Sequence, residues 1–261
     1  MRALLVIVML ALFPAVAKAQ SMEQGSHSLV DLSHAYNQET LYWPTSPTRF
    51  EHDELAFGIT PGGWFYSAYS FSMPEHGGTH IDAPMHFAEG RWALDEIPLE
   101  TLIGTAVVID ISHLIGDDAD YRLSLADVLA FEAKHGQIPE HSILLLMTGW
   151  SERWPNARDY LGDDTPGDAS NLHFPGFGED ATRFLVEERR VKMLGIDTAS
   201  IDYGQSADFP AHRIAYEANV PGLENLTNLH LLPVTVAMIV ALPIKIEGGS
   251  GGPVRVVAML P

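Results

Sequence analysis

A chain of 261 residues with 46% hydrophobic side chains can bury the core of one sizeable α/β domain, and at that length it needs no cross-links. Its formal net charge of −19 argues against nucleic acid and anionic lipid as partners, because a strongly acidic surface repels both. The absence of cysteine excludes disulfides, thiolate nucleophiles and Cys-ligated zinc.

The first predicted element is an export signal over residues 1–19. Arg2 supplies the positive start, residues 3–16 are apolar, and Ala17-Lys18-Ala19 has the small-x-small form of a cleavage site. Its removal would take away two cations, Arg2 and Lys18, and leave a still more acidic mature domain, residues 20–261. The expectation is an exported, periplasmic protein with no membrane association once the signal is cut. Strand-like runs follow at residues 29–33, 64–71, 105–111, 142–147, 191–197, 234–241 and 254–259. Helices are fewer. Ser124 with Asp127 three residues on opens residues 125–135, which stop at Gly136. Residues 179–190 begin acidic and end basic, as a helix dipole favours, and a third short helix starts near Ala211. Strands outnumber helices and several are apolar throughout, so the fold class is α/β, a mixed-sheet or barrel-like single domain with helices outside. Residues 234–241 lie between Pro233 and Pro243 and are too short to cross a membrane.

Residues 75–87, EHGGTHIDAPMHF, hold the chemistry. His80 and Asp82 are two apart, so on an extended segment they point to one side. Gly77 and Gly78 free the chain to fold His76 back towards them. Pro84 stiffens the exit and limits where His86 can point. Imidazole nitrogen with carboxylate oxygen suits borderline divalent ions such as Mn²⁺ or Zn²⁺, and three ligands on one short segment leave open positions, as a catalytic site requires. A solvated loop or hydrogen-bonded core cluster would not need this spacing. A non-haem iron triad of His80, Asp82 and His212 would leave His76 and His86 without work and lacks a nearby arginine for an acid co-substrate. Aromatic rings just ahead of the cluster and soon after it make Trp64, Phe65 and Trp92 candidates for stacking on a flat substrate.

His76-Gly-Gly-Thr-His80-Ile-Asp82-Ala-Pro-Met-His86 resembles the H-x-G-T-H-x-D-x-P-x-H signature of the cyclase family of metal-dependent hydrolases, which includes bacterial kynurenine formamidases and isatin hydrolases. The likeness continues at Asp31-Leu-Ser33, at Gly195-Ile-Asp197 through Asp202, and from His212 to Asn225. It implies a swivelling β/β/α architecture, a homodimer or larger assembly, and hydrolysis of a small aromatic amide or cyclic amide with one or two ions of manganese or zinc. It also implies His76, His80 and Asp82 as ligands of a first ion and His86 as the residue that moves protons. His212 and Glu224 stand at the spacing of the second-ion ligands in two-metal formamidases. Single-manganese isatin hydrolases lack that glutamate, so Glu224 points to the formamidase type, while the closing run PIKIEGGSGG points weakly to isatin hydrolases.

Three other signals carry less. Gly248-Gly-Ser250-Gly-Gly252 has the form of a serine-hydrolase elbow, but no His, Asp or Glu follows it to complete a triad. Asn225-Leu-Thr227 is a glycosylation sequon by pattern alone. Asp197 and Asp202 could either orient ligand histidines or cap a strand end. A secreted metal- or ligand-binding protein without turnover would account for the ligands but leaves His86 unexplained.

Overall fold

The computed structural model describes residues 28–261, and the expected export signal lies outside them. The first three strands are β1 (Leu29–Asp31), β2 (Glu51–Ile59) and β3 (Phe65–Ser72). They are followed by β4 (His80–Asp82), β5 (Ile103–Asp110), β6 (Arg122–Leu123) and β7 (Ile143–Met147). The last five are β8 (Gly176–Phe177), β9 (Met193–Ile196), β10 (Gly222–Glu224), β11 (Thr235–Pro243) and β12 (Gly251–Met259).

Eight of these strands form one mixed sheet in the order β1-β12-β11-β5-β7-β9-β10-β4. A further pairing of β12 with β4 joins seven of them into a ring, a closed barrel-like sheet with β1 attached beside it. β5, β7, β9 and β10 run parallel, and the remaining barrel pairings are antiparallel. Alternation along each strand divides the core in two. Ala106 and Val108, Ile143 and Leu145, with Met193, Ile239 and Val256, belong to one buried cluster, which fills the barrel. Val107 and Ile109, Leu144 and Leu146, with Leu194 and Ile196, turn the other way and pack beneath the helices. Strands covered on both faces read as continuous apolar runs, and this is why β5 and β7 are recognisable in the sequence.

The helix Leu125–His135 has the expected bounds. Ser124 Oγ accepts from the Asp127 amide at 3.2 Å while the Asp127 carboxylate accepts from the Ser124 amide at 2.9 Å, and Gly136 leaves the helix at φ 90°. Residues 179–190 differ from a single α-helix: Glu179–Arg183 is α-helical and Phe184–Glu188 continues as a π-turn. The third expected helix is Pro210–Glu217. Among the described residues no helix is long and apolar enough to cross a membrane.

β2 and β3 form a separate two-stranded hairpin. Phe57, Ile59, Trp64, Phe65, Tyr66 and Phe71 on it are all more than half exposed.

Candidate active site

Register and local turns bring the site together. On β4, His80 and Asp82 face the same way, separated by the fully buried Ile81. β10 runs antiparallel to β4 with Glu224 opposite His80 and Gly222 opposite Asp82, so a residue far along the chain lands against the motif. His76 returns to the cluster through Gly77 and Gly78, both at positive φ (146° and 58°). A side chain at Gly77 would overlap the Tyr42 ring, so closeness as well as torsion demands glycine there. Pro84–His86 is a single 3₁₀ turn that brings His86 round to the mouth of the site. His212 comes from the first turn of the helix Pro210–Glu217, and Tyr216, one turn on, lies on the same face.

Asp82 is the shared centre. Its Oδ1 lies 2.7 Å from His76 Nδ1 and 3.1 Å from His80 Nε2. Its Oδ2 lies 3.4 Å from His212 Nε2 and 3.9 Å from His86 Nε2, and accepts a hydrogen bond from the Tyr216 hydroxyl at 2.9 Å. Glu224 spans the other side, with one oxygen 3.4 Å from His80 Nε2 and the other 3.3 Å from His212 Nε2. Two overlapping groups result, His76/His80/Asp82 and Asp82/His212/Glu224, each with ligand atoms within 4.8 Å of one another.

The histidine tautomers test whether these residues suit a cation. His80 Nδ1 donates to the Gly78 carbonyl at 2.9 Å, so Nε2 is the nitrogen turned towards the carboxylates. That Nε2 is buried and makes no hydrogen bond, although Asp82 Oδ1 is near. His212 Nδ1 donates to Asp202 Oδ2 at 2.6 Å, and its Nε2 likewise faces Asp82 and Glu224. Nitrogen lone pairs and carboxylate oxygens aimed at one another repel unless a cation lies among them, and here they are buried. Burial disfavours a charge on His80, yet the Asp82 and Glu224 carboxylates outweigh it and hold the imidazole up at about 9. His212 is raised for the same reasons by Asp202, Asp82 and Glu224, again against the effect of burial. Asp82 is held well below the usual carboxylate range by His76, His212 and His80 in spite of its burial. The donor set therefore fits a divalent ion, which would compete with protons for the same nitrogens.

His86 differs in kind. Its ring stacks on His76 at 3.9 Å between centroids, and burial lowers its pKa to about 4. The neighbouring histidines reinforce that shift and Asp82 opposes it, so at neutral pH the imidazole is neutral.

Asp202 and Asp197 divide the two roles open to them. Asp202 accepts from His212 Nδ1 and from the amides of Ala211 and His212 at 3.0 and 3.1 Å, so it orients the ring and caps the helix together. Among the described residues Asp197 bonds to no histidine. It accepts from the Thr148 amide and hydroxyl and the Gly149 amide, tying down the end of β7.

The cleft over the cluster has a volume of about 420 Å³, and its apolar wall includes Leu41, Trp43, Phe87, Leu161 and Phe209. Trp64, Phe65 and Trp92 are not brought to it. Trp64 and Phe65 stand at the turn of the β2–β3 hairpin, 63% and 55% exposed, and Trp92 packs against the barrel core with its amide bound to Asn219. Proximity in sequence to the histidine motif does not place them in the cleft, because Trp64 and Phe65 stand on the separate hairpin and Trp92 turns to the barrel core. Trp43 and Phe87 were within reach of a sequence reading as aromatic residues near the motif, and Tyr216 as the residue one helical turn beyond His212. Phe209 gave no such signal.

Residues 30–203 match the family described as "Putative cyclase". An isatin hydrolase of Roseibium aggregatum is 33% identical over 207 residues, 76% of this chain and 77% of its own. A kynurenine formamidase of Salinibacter ruber is 27% identical over 239 residues, 88% of this chain and 96% of its own. Among solved structures, isatin hydrolase A from Labrenzia aggregata bound to benzyl benzoate superposes with a TM-score of 0.83 at 35% identity, covering 92% of this chain and 96% of that one. An isatin hydrolase bound to the product analogue thioisatinate gives a TM-score of 0.81 at 29% identity over 91% and 94% of the two chains. With its motif, its closed sheet and two thirds of its length matched, this chain belongs to the cyclase family.

Proposed function

We propose that the protein hydrolyses the C–N bond of a small aromatic amide, open-chain or cyclic, at a divalent-metal centre. His76, His80, Asp82, His212 and Glu224 would hold one or two ions of manganese or zinc. The enzyme class is that of its relatives, an isatin hydrolase and a kynurenine formamidase, which are hydrolases of amide C–N bonds. The observation that carries the reading is the pair of histidines, His80 and His212, each with one nitrogen spent on an acceptor outside the cluster and the other aimed at Asp82 and Glu224.

A divalent ion bound there supplies Lewis acidity, making water acidic enough to ionise near neutral pH and polarising a carbonyl. The remaining work belongs to the chain. The apolar wall of Trp43, Phe87 and Phe209 accepts an aromatic ring, and a cleft of about 420 Å³ is within the range for small ligands. His86, neutral and at the edge of the cluster, accepts the proton of the attacking water and returns it to the leaving nitrogen. Tyr216 holds the Asp82 carboxylate in place. A ligand-binding role without turnover gives no use to His86.

Two observations bear on the substrate. Identity to isatin hydrolases, 33% and 35% in two comparisons, supports a cyclic amide. The position of Glu224 between His80 and His212 supports two ions and the formamidase type. Turnover of isatin and N-formylkynurenine, with metal stoichiometry in parent and Glu224→Ala, tests both. The expected result is hydrolysis of at least one of them and a fall from two ions to one in the variant. A parent that saturates with one ion removes the two-ion reading, and a parent that turns over neither compound removes the substrate class.

The exposed rings of the β2–β3 hairpin support the expected homodimer or larger assembly. A two-stranded ribbon with an apolar face is marginal in water alone, and a second copy would cover it.

A further inference from the structure

The glycine-rich run Gly248-Gly-Ser250-Gly-Gly252 is not a nucleophile elbow, yet it reaches the active site. Ser250 lies where the chain enters β12, and Gly251 pairs with Asp82 across the barrel seam. A Cβ at Gly251 would sit 2.6 Å from His76 Cε1 and 2.8 Å from the Ile81 carbonyl, so glycine lets this strand run directly beneath the His76 ring. The run is held there by backbone bonds to the far side of the motif. Ala83 donates to the Ser250 carbonyl and Leu94 to the Gly249 carbonyl, both at 2.8 Å.

Ser250 makes three contacts that together leave one proton arrangement. Its hydroxyl lies 2.7 Å from Glu75 Oε2, its amide donates to that same oxygen at 2.9 Å, and its Oγ lies 2.9 Å from His76 Nε2. The Ser250 hydroxyl donates to Glu75 Oε2, the oxygen that also accepts from its amide. Its oxygen is then an acceptor towards His76, and Nε2 carries the hydrogen. His76 Nδ1 is left to face Asp82 Oδ1 at 2.7 Å.

We propose that Glu75 and Ser250 are positioning residues for the metal centre, a carboxylate–hydroxyl pair that fixes His76 as the Nε2–H tautomer and turns its Nδ1 towards the ion. They would do for His76 what Asp202 does for His212 and the Gly78 carbonyl for His80. Each ligand histidine then has one nitrogen anchored outside the cluster, an arrangement that fixes ring orientation and raises ligand basicity. His76 has the greatest need of it. Its side chain is 26% exposed, against 3% for His80 and 4% for His212, so packing holds it least. The His86 ring stacked on it would inherit the same placement.

The inference rests on the metal reading above, and the experiment separates the two. Zinc affinity is measured by chelator competition for the parent, Ser250→Ala, Glu75→Gln and His80→Ala, and long-range nitrogen–proton correlation spectra of histidine-labelled, zinc-loaded protein report the His76 tautomer. Ser250→Ala is expected to bind zinc about 10–100-fold more weakly, the usual effect of losing an outer partner of a ligand histidine. Glu75→Gln keeps an acceptor oxygen and should lose less. In the parent, His76 should show a protonated Nε2 and a zinc-bound Nδ1, and in Ser250→Ala the Nε2 resonance should move to that of an unbonded N–H. Parent-like affinity in both variants, or a parent His76 bound through Nε2, overturns the positioning role while leaving the metal centre standing. A parent that binds no zinc, or His80→Ala that binds it as the parent does, overturns the metal reading and this inference with it.

Discussion

At the scale of single residues the proposed function separates holding from proton transfer. His86 sits 3.9 Å from Asp82 and, among the described residues, its ring hydrogen-bonds to nothing outside the cluster, whereas His80 and His212 are each pinned from behind. His86→Ala should therefore retain the metal content of the parent while kcat falls about 10²–10⁴-fold, the range expected for a general acid–base residue. Metal analysis and steady-state kinetics on the same preparation check this, and near-parental turnover would make His86 structural. The clustering of His76, His80 and Asp82 was legible in the sequence, because a two-residue spacing and a pair of glycines have direct geometric meaning, whereas only the family resemblance joined His212 and Glu224 to them. The residues behind them were less so. Asp202 was one of two possibilities, and Glu75 and Ser250 stand too far apart in the chain for any local pattern to join them.

At the scale of elements, the helix Pro210–Glu217 depends on a residue outside it. Phe209 precedes it in a left-handed conformation and provides no side-chain cap, while Asp202 accepts the amides of Ala211 and His212 from across the loop. Asp202→Ala should cost about 0.5–2 kcal/mol of stability, as the loss of a helix cap does. It should also weaken metal binding about 10–100-fold through His212. Chemical denaturation and metal competition measure the two effects, and a variant that lost stability alone would confine Asp202 to capping. The long apolar strands were readable because both of their faces are buried. β4 and β10 were not, since three residues are too few to show a period, and the assembly of the site depends on their pairing. β2, with its acidic start EHDEL, lacks strand composition and finds a partner only in β3. The break of residues 179–190 into α-helix and π-turn also escapes a reading based on a 3.6-residue period.

At the scale of the whole molecule, the barrel explains why a motif in the first third of the sequence needs the last third to complete it. β4 lies between β10 and β12, so Glu224 approaches from one side and Ser250 from the other. Closure of the sheet therefore sets the site's residues side by side. The hairpin that stands off this barrel predicts association. Parent protein should sediment as a dimer or larger at micromolar concentration, and Phe57→Asp with Phe71→Asp should shift it towards monomer; a monomeric parent would remove that expectation. The central claim is that the buried cluster is a metal centre on which amide hydrolysis depends. It is tested most directly by the rate of amide hydrolysis in protein stripped with a chelator and then reloaded with Mn²⁺ or Zn²⁺. Loss of turnover on stripping and its return on reloading is the predicted result. Full turnover in protein with no detectable metal would contradict the account.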